Sequence, residues 1–341
     1  MLLKKLCEAS GVSGNEQEVR DVLTEALKDY IDDWQRDKIG NLVAVVNRNA
    51  PGPRVMIAAH MDEVGLMIYG FEKNGLLRFR PVGGVDLRVL VSKPVLVGKN
   101  RVPGVIGAKA IHLQRPEERQ NPIPVDQLTI DIGCSSKEEA EEHVKLGDYV
   151  VFDTLFEEQC EGILKAKALD DRVGCAVLAE VMQGKYSIPV YGAFTVQEEI
   201  GTRGARVAAF QIMPDVAIAI EGTVCNDIAD NPEAEYTTEQ GKGVVINFMD
   251  GGLVAHRKLF SLAVATAEKH GIPYQFRRST SGGNDAGAMS LTGAGCPALA
   301  VAVPTRYIHS PVSTVKKSDM DCAVRFVTAL VHAIEDGGLN Q

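Results

Sequence analysis

The sequence has no pair of cysteines at the spacing of a zinc-binding or redox motif. Seven cysteines occur among 341 residues, and none is followed by another three positions later. Most of them lie in apolar segments such as "GCAVLAEVM", which indicates reduced thiols in a hydrophobic core. The pattern argues against a disulfide framework and against a cysteine-ligated zinc cluster.

Long apolar runs and clusters of basic residues are also missing. No stretch approaches the ~18 apolar residues of a membrane-spanning helix, and the first residues lack the apolar run of a signal peptide. The formal net charge is −9, without the clustered Lys and Arg that nucleic acid requires. We therefore expect a cytoplasmic protein whose partners are neither membranes nor nucleic acid.

The composition and pattern predict an α/β protein of about two domains. Hydrophobic residues make up 45% of the chain, enough for a sizeable core. Between about 67 and 163, short β-like runs broken by Gly and Pro replace the alternation of helices and strands. We expect one domain formed by 1–66 and 164–341, with a mixed, largely parallel sheet flanked by helices, and a small β-rich domain, 67–163, inserted into it.

Acidic and imidazole side chains cluster at the ends of the predicted strands. Near-continuous apolar runs such as "IPVYGAFTVQ", "DVAIAIEGT", "GKGVVINFMD" and "PALAVAVPTRYIHS" suit parallel strands covered on both faces. Ligands of such sheets bind beyond the carboxyl ends of the strands. The residues concerned are His60, Asp62, Glu198, Glu199, Glu221 and His309 at strand ends, and Asp170 and Asp171 before a helix.

These residue types, imidazole and carboxylate without thiolate, are those that bind a divalent metal ion. A cation would also explain the adjacent Glu198 and Glu199, because one could ligate it while the other transfers protons. Asp62, two residues after His60, can accept the second ring N–H and fix the tautomer. Taken singly, the histidines could be structural, the paired aspartates helix caps and the paired glutamates a solvated turn.

Six segments, in this order, resemble those of the M42 family of dinuclear metallo-aminopeptidases, which includes glutamyl aminopeptidases and the tetrahedral TET enzymes. The segments are "AAHMDEVG", "ALDDRVG", "TVQEEIGTRGA", "AIEGT", "SGGNDAGAM" and "YIHSP". The resemblance covers essentially the whole chain, including "GVIGAKAIHLQ" in the inserted domain. It implies a zinc-peptidase fold with a PDZ-like dimerisation domain, and a homo-oligomer in which dimers assemble into a hollow dodecamer.

The resemblance also implies a hydrolase that removes the N-terminal residue from peptides with a free N-terminus, using two divalent metal ions per subunit, Zn²⁺ or Co²⁺. It assigns the metal ligands as His60 and Glu221 for one ion, Glu199 and His309 for the other, and Asp170 as the bridge. Glu198 would be the general base for a metal-activated water, and Asp62 would orient His60.

Two positions depart from the family pattern. Many members have Asp where this chain has Glu221, and a glutamate reaches one methylene further toward the metal position. The family usually has Thr where Asn284 stands. Asp285 matches the family, and the resemblance implies that it is structural or lies next to the substrate; alternatively, Asn284 and Asp285 cap the short helix that follows them.

Other functions could also use some of these residues. A glycosidase would need only two acids separated by ~5 to 9.5 Å, which leaves both histidines unexplained. A carboxypeptidase or an N-acyl amino-acid deacylase would use the same dinuclear centre, and a non-catalytic scaffold could keep the same fold. Arg257, Arg277 and Arg278 could favour an acidic residue at the cleaved position.

Overall fold

The computed structural model describes residues 1–31 and 33–339 of the chain. These residues form a large mixed sheet with helices packed against both faces, and a small antiparallel barrel inserted into the chain. The predicted α/β architecture with an inserted β-rich domain is confirmed.

The described residues contain eight α-helices and seventeen strands. The helices are α1 Leu2–Glu8, α2 Gln17–Leu27, α3 Lys137–His143, α4 Leu169–Val181, α5 Arg203–Ile212, α6 Arg257–Lys269, α7 Asp285–Ser290 and α8 Lys317–Glu335. The strands are β1 Asp33–Arg36, β2 Leu42–Val46, β3 Val55–His60, β4 Gly65–Phe71, β5 Leu77–Val82, β6 Pro94–Val97, β7 Val102–Gly107, β8 Thr129–Asp131, β9 Tyr149–Phe152, β10 Glu157–Glu158, β11 Ile163–Ala166, β12 Val190–Thr195, β13 Val216–Cys225, β14 Val244–Asn247, β15 Tyr274–Phe276, β16 Ala298–Arg306 and β17 Ser313–Lys316.

Four parallel strands form the centre of the large sheet. Their order is β12, β3, β13 and β16, and antiparallel strands flank them on both sides. The run "GKGVVINFMD" differs from its neighbours, because β14 pairs antiparallel with β16. β14 occupies the middle of the free edge of β16 and β17 occupies its end, so a single strand edge supports two neighbours.

The central strands are buried on both faces, which explains their near-continuous apolar sequence. All six residues of β3 are buried. Its alternate residues pack in different cores, since Val55 and Ile57 contact the core that includes α4 and α8, whereas Met56 and Ala58 contact the core that includes α5 and α7. The carboxyl ends of these strands are thereby left as the open edge of the sheet.

The inserted barrel closes through six antiparallel strands in the order β4, β5, β8, β7, β6, β9. It has its own apolar core, separate from the two cores of the large sheet. Its strands lie between Gly65 and Phe152, and β10 and β11 belong to the large sheet. The division at 66/67 and 163/164 stays a prediction.

No helix in the described part of the chain is long and apolar enough to cross a lipid bilayer. The cytoplasmic location stays a prediction.

Candidate metal centre

The carboxyl ends of the central strands bring most of the predicted site residues together. β3 ends at His60, and its neighbour β12 ends at Thr195, which lies opposite His60 in the parallel register. The chain then turns through Gln197, which has a positive φ of 57°, and delivers Glu198 and Glu199 to the same edge.

Glu221 lies within strand β13, whereas the sequence pattern placed it at the end of a strand. β13 runs on to Cys225 because it stays paired with β16 along its whole length. Its pairing with β3 ends earlier, at Ala219 opposite Ala58. The two strands therefore separate beside Glu221, and its Oε2 lies 3.6 Å from Nε2 of His60.

The two aspartates at the start of α4 have different surroundings. Asp171 is fully buried, and its two carboxylate oxygens accept the backbone N–H groups of His60 (3.2 Å) and Gly174 (3.0 Å). The capping role that the sequence allows for both aspartates is therefore taken by Asp171. Asp170 instead lines the pocket at the strand ends.

Asp170 lies between the two predicted histidine ligands. Its Oδ1 is 3.4 Å from Nε2 of His60, and its Oδ2 is 3.6 Å from Nε2 of His309. Glu199 adds an oxygen 3.4 Å from the same nitrogen of His309. The five predicted ligands thus form two adjacent groups that share one carboxylate.

A glycine makes room for the shared carboxylate. A Cβ atom at Gly222, in β13, would lie 3.0 Å from Oδ1 and 3.1 Å from Cα of Asp170. Such contacts are closer than packed carbon atoms tolerate, so a side chain here would displace Asp170.

Within the described part of the chain, the two histidines are the cationic partners of the site's carboxylates. Among residues 1–31 and 33–339, no Lys or Arg forms a salt bridge with Asp170, Glu199 or Glu221. Burial, together with neighbouring carboxylates, raises the pKa values of Glu199 and Glu221 well above their usual range. Buried oxygen and imidazole donors without a counter-charge fit divalent metal ions, so the residues present match the metals that the resemblance implies.

Asp62 explains how two adjacent glutamates are held at this edge. Its carboxylate is fully buried and accepts the backbone N–H groups of Glu198 (2.9 Å) and Glu199 (3.1 Å), and the hydroxyl of Ser13 (2.6 Å). Burial raises the pKa of Asp62, but these bonds and His60 outweigh it and hold the pKa below its usual value.

The contact between Asp62 and His60 differs in detail from the prediction. The nearer acceptor for Nδ1 of His60 is the backbone carbonyl of Asp62 at 3.1 Å, and the carboxylate lies at 3.5 Å. Both atoms can hold the imidazole in one tautomer, with Nε2 facing Asp170.

Glu198 lines the pocket but belongs to neither cluster of donor atoms that lie within 4.8 Å of one another, which are His60, Asp171 and Glu221, and His60, Asp170 and Glu199. Burial, with the nearby charge of Asp285, raises the pKa of Glu198 to about 8. Asp285 is itself buried, accepts the hydroxyl of Thr195 at 2.6 Å and donates its backbone N–H to Glu221 at 3.3 Å. Asn284 caps α7 by accepting the N–H of Ala286 at 2.9 Å, as the alternative reading of this segment suggests.

Sequence reasoning missed the buried ion cluster behind the site. Glu63 binds Lys167 at 2.7 Å and Arg172 at 3.1 Å, and all three side chains are buried. Arg172 also donates to the backbone oxygen of Met61 at 2.9 Å, which fixes the end of β3 against α4. No spacing in the sequence pairs Glu63 with residues more than a hundred positions away.

The site opens into a pocket of about 600 Å³. Arg277 lines it together with polar residues such as Thr237, Asn247 and Ser279. Nε of Arg277 is buried and has no hydrogen-bond partner among the described residues. Arg278, in contrast, is exposed.

Comparison with known proteins gives consistent matches along the chain. The family model described as M42 glutamyl aminopeptidase matches residues 40–326. The lysyl aminopeptidase of Pyrococcus furiosus is 36% identical over 98% of this chain and 97% of its own.

Solved structures also match over nearly the full length. The TET aminopeptidase of a marine sediment Thaumarchaeota archaeon has a TM-score of 0.94 and 35% identity, covering 99% of this chain and 98% of its own. The TET1 peptidase of Pyrococcus horikoshii, described as able to assemble into a tetrahedron or a large octahedral shell, has a TM-score of 0.86 and 36% identity, covering 97% and 98%. A Thermotoga maritima structure named endoglucanase has a TM-score of 0.81 and 34% identity, covering 99% and 97%.

The matched family model and relatives cover most of the chain, so the protein belongs to the M42 family and is an aminopeptidase, a hydrolase of peptide bonds.

Proposed function

We propose that this aminopeptidase depends on two divalent metal ions, Zn²⁺ or Co²⁺, and removes the N-terminal residue from peptides with a free N-terminus. The observation that carries the proposal is the carboxylate of Asp170, with one oxygen near His60 and the other near His309. Glu221 completes the first group and Glu199 the second. One carboxylate shared by two groups of N and O donors is the arrangement expected of a dinuclear site.

The metal ions, when bound, would act as Lewis acids and lower the pKa of water toward neutrality. The ligands would be His60 and Glu221 for one ion, His309 and Glu199 for the other, and Asp170 for both. The longer side chain of Glu221 is compatible with this role. Its Oε2 lies 3.6 Å from Nε2 of His60, close to the 3.4 Å between that nitrogen and Oδ1 of Asp170.

Glu198 is the proposed general base. It would take a proton from the attacking water and deliver it to the amine that leaves when the peptide bond breaks. The backbone N–H of Glu198 is fixed by Asp62, and the side chain faces the same pocket as the predicted ligands. Asp62 therefore positions Glu198 and Glu199 as well as His60.

The acidic rim of the pocket supports recognition of a free α-amine. A protonated or hydrogen-bonding amine is favoured next to carboxylates such as Glu198 and Glu199, whereas an acylated amine loses that interaction. Recognition of a free α-amine favours an aminopeptidase over the dinuclear deacylase or carboxypeptidase. It also disfavours a glycosidase, because two acids would suffice there and the histidines would have no role.

Arg277 supports a preference for acidic residues at the cleaved position. Its guanidinium lines the polar part of the pocket, and within the described residues it forms no salt bridge. The guanidinium donates to the backbone oxygen of Ser281 at 2.6 Å, but its buried Nε has no partner among the described residues, and a half-buried cation without a counter-charge favours an anionic ligand. Arg257 and Arg278 do not line the pocket and are assigned no part in this preference.

The TET1 peptidase of Pyrococcus horikoshii can assemble into a tetrahedron or a large octahedral shell, which supports assembly of this chain into a homo-oligomer; the resemblance implies dimers that assemble into a dodecamer. The inserted barrel is the proposed dimerisation domain, as the resemblance implies.

The proposal is tested by initial rates on aminoacyl p-nitroanilides with a free or an acetylated amine. The protein is first stripped with a chelator and then refilled with zinc or cobalt. Cleavage of the free-amine compounds only, and only after refilling, is expected. Equal cleavage of acetylated compounds would contradict amine recognition, and undiminished activity after stripping would contradict metal dependence.

A further inference from the structure

His309 is held in a different way from His60. The side chain of His60 is 2% exposed, and its Nδ1 donates to a backbone carbonyl at 3.1 Å. The side chain of His309 is 42% exposed, and no hydrogen-bond partner of its Nδ1 occurs within residues 1–31 and 33–339. A metal-binding imidazole normally has its second nitrogen fixed by a neighbour, so something else must hold the ring of His309.

The inserted barrel provides that contact. Directly after β5, the chain passes through the turn 83–86, and a Cβ atom at Gly84 would lie 3.3 Å from Nδ1 and 3.7 Å from Cε1 of His309. The imidazole thus lies against the bare backbone of Gly84. The preceding Gly83 has a φ of +82°, and a Cβ atom there would lie 3.2 Å from Cβ of Glu199.

Two segments hold the loop that carries His309: the turn between barrel strands β5 and β6, and the connection that follows β9. The N–H of Asp86 donates to the backbone oxygen of His309 at 3.3 Å. Thr154, just after the last barrel strand, donates its hydroxyl to the backbone oxygen of Pro311 at 2.9 Å. The loop therefore touches the barrel on two sides.

We propose that the turn 83–86 of the barrel positions His309 and Glu199, so that one of the two metal positions depends on how the barrel docks on the large sheet. The inference rests on the metal ligands of the proposed function. His60 and Glu221, in contrast, are carried by β3 and β13 of the large sheet, so the other metal position is independent of this turn.

Calorimetric titration of the chelator-stripped protein with zinc tests the inference. Gly84→Ala should weaken one of two binding events about tenfold, as loss of an outer contact to a ligand does, and leave the other unchanged. Gly84→Val should weaken it more, and Thr154→Val should act in the same direction. Gly107→Ala, elsewhere in the barrel, is the matched control because its Cβ would have no neighbour closer than 3.9 Å.

The outcomes separate the two proposals. Two wild-type binding events that persist unchanged in both Gly84 variants would overturn the inference and leave the proposed function standing. A wild-type protein that binds fewer than two equivalents would contradict the dinuclear proposal and this inference with it.

A second measurement uses only the wild-type protein. Because coupling is reciprocal, metal loading should stabilise the turn and slow amide hydrogen exchange of Asp86, with no change across Val102–Gly107. Equal exchange of Asp86 in the stripped and the loaded protein would overturn the inference.

Discussion

At the scale of single residues, the site is explained by where each carboxylate finds its hydrogen-bond donors. Asp62 and Asp171 are saturated by backbone N–H groups and therefore hold the chain in place. Among the described residues, the carboxylates of Asp170 and Glu199 pair only with histidines, and Glu221 accepts one backbone N–H, from Asp285, so these three carboxylates are left for cations. Residue type alone could not make this division, because it depends on which oxygen meets which amide.

Glu198 is the proposed general base, and its substitution tests that role. Replacing it with Gln keeps the size of the side chain but removes the proton acceptor, so kcat should fall by about 10²- to 10⁴-fold. Zinc binding, measured by calorimetry, should stay at the wild-type stoichiometry, whereas the neighbouring Glu199→Gln should lose zinc affinity. A Glu198→Gln enzyme with more than a third of wild-type kcat would remove Glu198 from the mechanism.

Arg277 is proposed to favour substrates with an acidic residue at the cleaved position. Arg277→Ala should lower kcat/KM for glutamyl p-nitroanilide by about 10- to 100-fold relative to leucyl p-nitroanilide, because an acidic side chain would lose its charged partner. Arg278→Ala, at the exposed neighbour, is the control and should leave the ratio unchanged. If both variants keep the wild-type ratio, the acidic preference does not come from Arg277.

Glu16 should make the stability of the folded protein depend on pH. Burial raises the pKa of Glu16 from 4.5 to about 7, outweighing the hydrogen bond from the N–H of Gly14. The titratable groups around it are the charged Asp62 and Arg20 and the neutral ring hydroxyl of Tyr149. An acid with a raised folded pKa destabilises the folded state once pH rises above its unfolded pKa, and fully so above its folded pKa.

Glu16→Gln should therefore be more stable than the wild type by about 2 to 3 kcal/mol at pH 8, and the gain should vanish below about pH 4.5. Urea unfolding of both proteins at the two pH values measures the difference. A gain that is independent of pH would show that the side chain of Glu16 keeps an ordinary pKa in the folded protein.

At the scale of elements, strand periodicity predicted the open edge of the sheet well. The ends of β3 and β12 carry His60 and the paired glutamates as expected, because buried apolar runs end where polar residues begin. The position of Glu221 inside β13 was not predictable, since the length of a strand depends on how far its neighbours pair with it.

Gly222 lets β13 pass beneath Asp170. Gly222→Ala should displace Asp170 and lower zinc affinity at least tenfold, because a Cβ would approach its Oδ1 to 3.0 Å. The melting temperature of the stripped protein should change little, since Ala in a strand regains about 0.5 to 1 kcal/mol over Gly. Gly70→Ala, with its nearest neighbour at an ordinary 3.5 Å, is the control. Wild-type zinc affinity in Gly222→Ala would show that Asp170 does not need this space.

At the scale of the whole molecule, the insertion of the barrel was predictable and its contact with the site was not. The change to short strands broken by Gly and Pro marks a separate β-rich unit. Nothing in the sequence indicates that its Gly83 and Gly84 lie against Glu199 and His309, because these contacts join residues more than a hundred positions apart. The motifs that resemble those of the M42 family indicate the proposed ligands, whereas the docking of the two units cannot be predicted from any motif.

A dinuclear centre bridged by Asp170 can be tested by following activity against leucyl p-nitroanilide as zinc is added to the stripped protein. We expect no activity without metal and a rise that is complete at two equivalents per chain, with Asp170→Ala failing to bind either ion with wild-type affinity. Full activity at one equivalent, or an Asp170→Ala protein that binds two ions normally, would contradict a dinuclear centre bridged by Asp170.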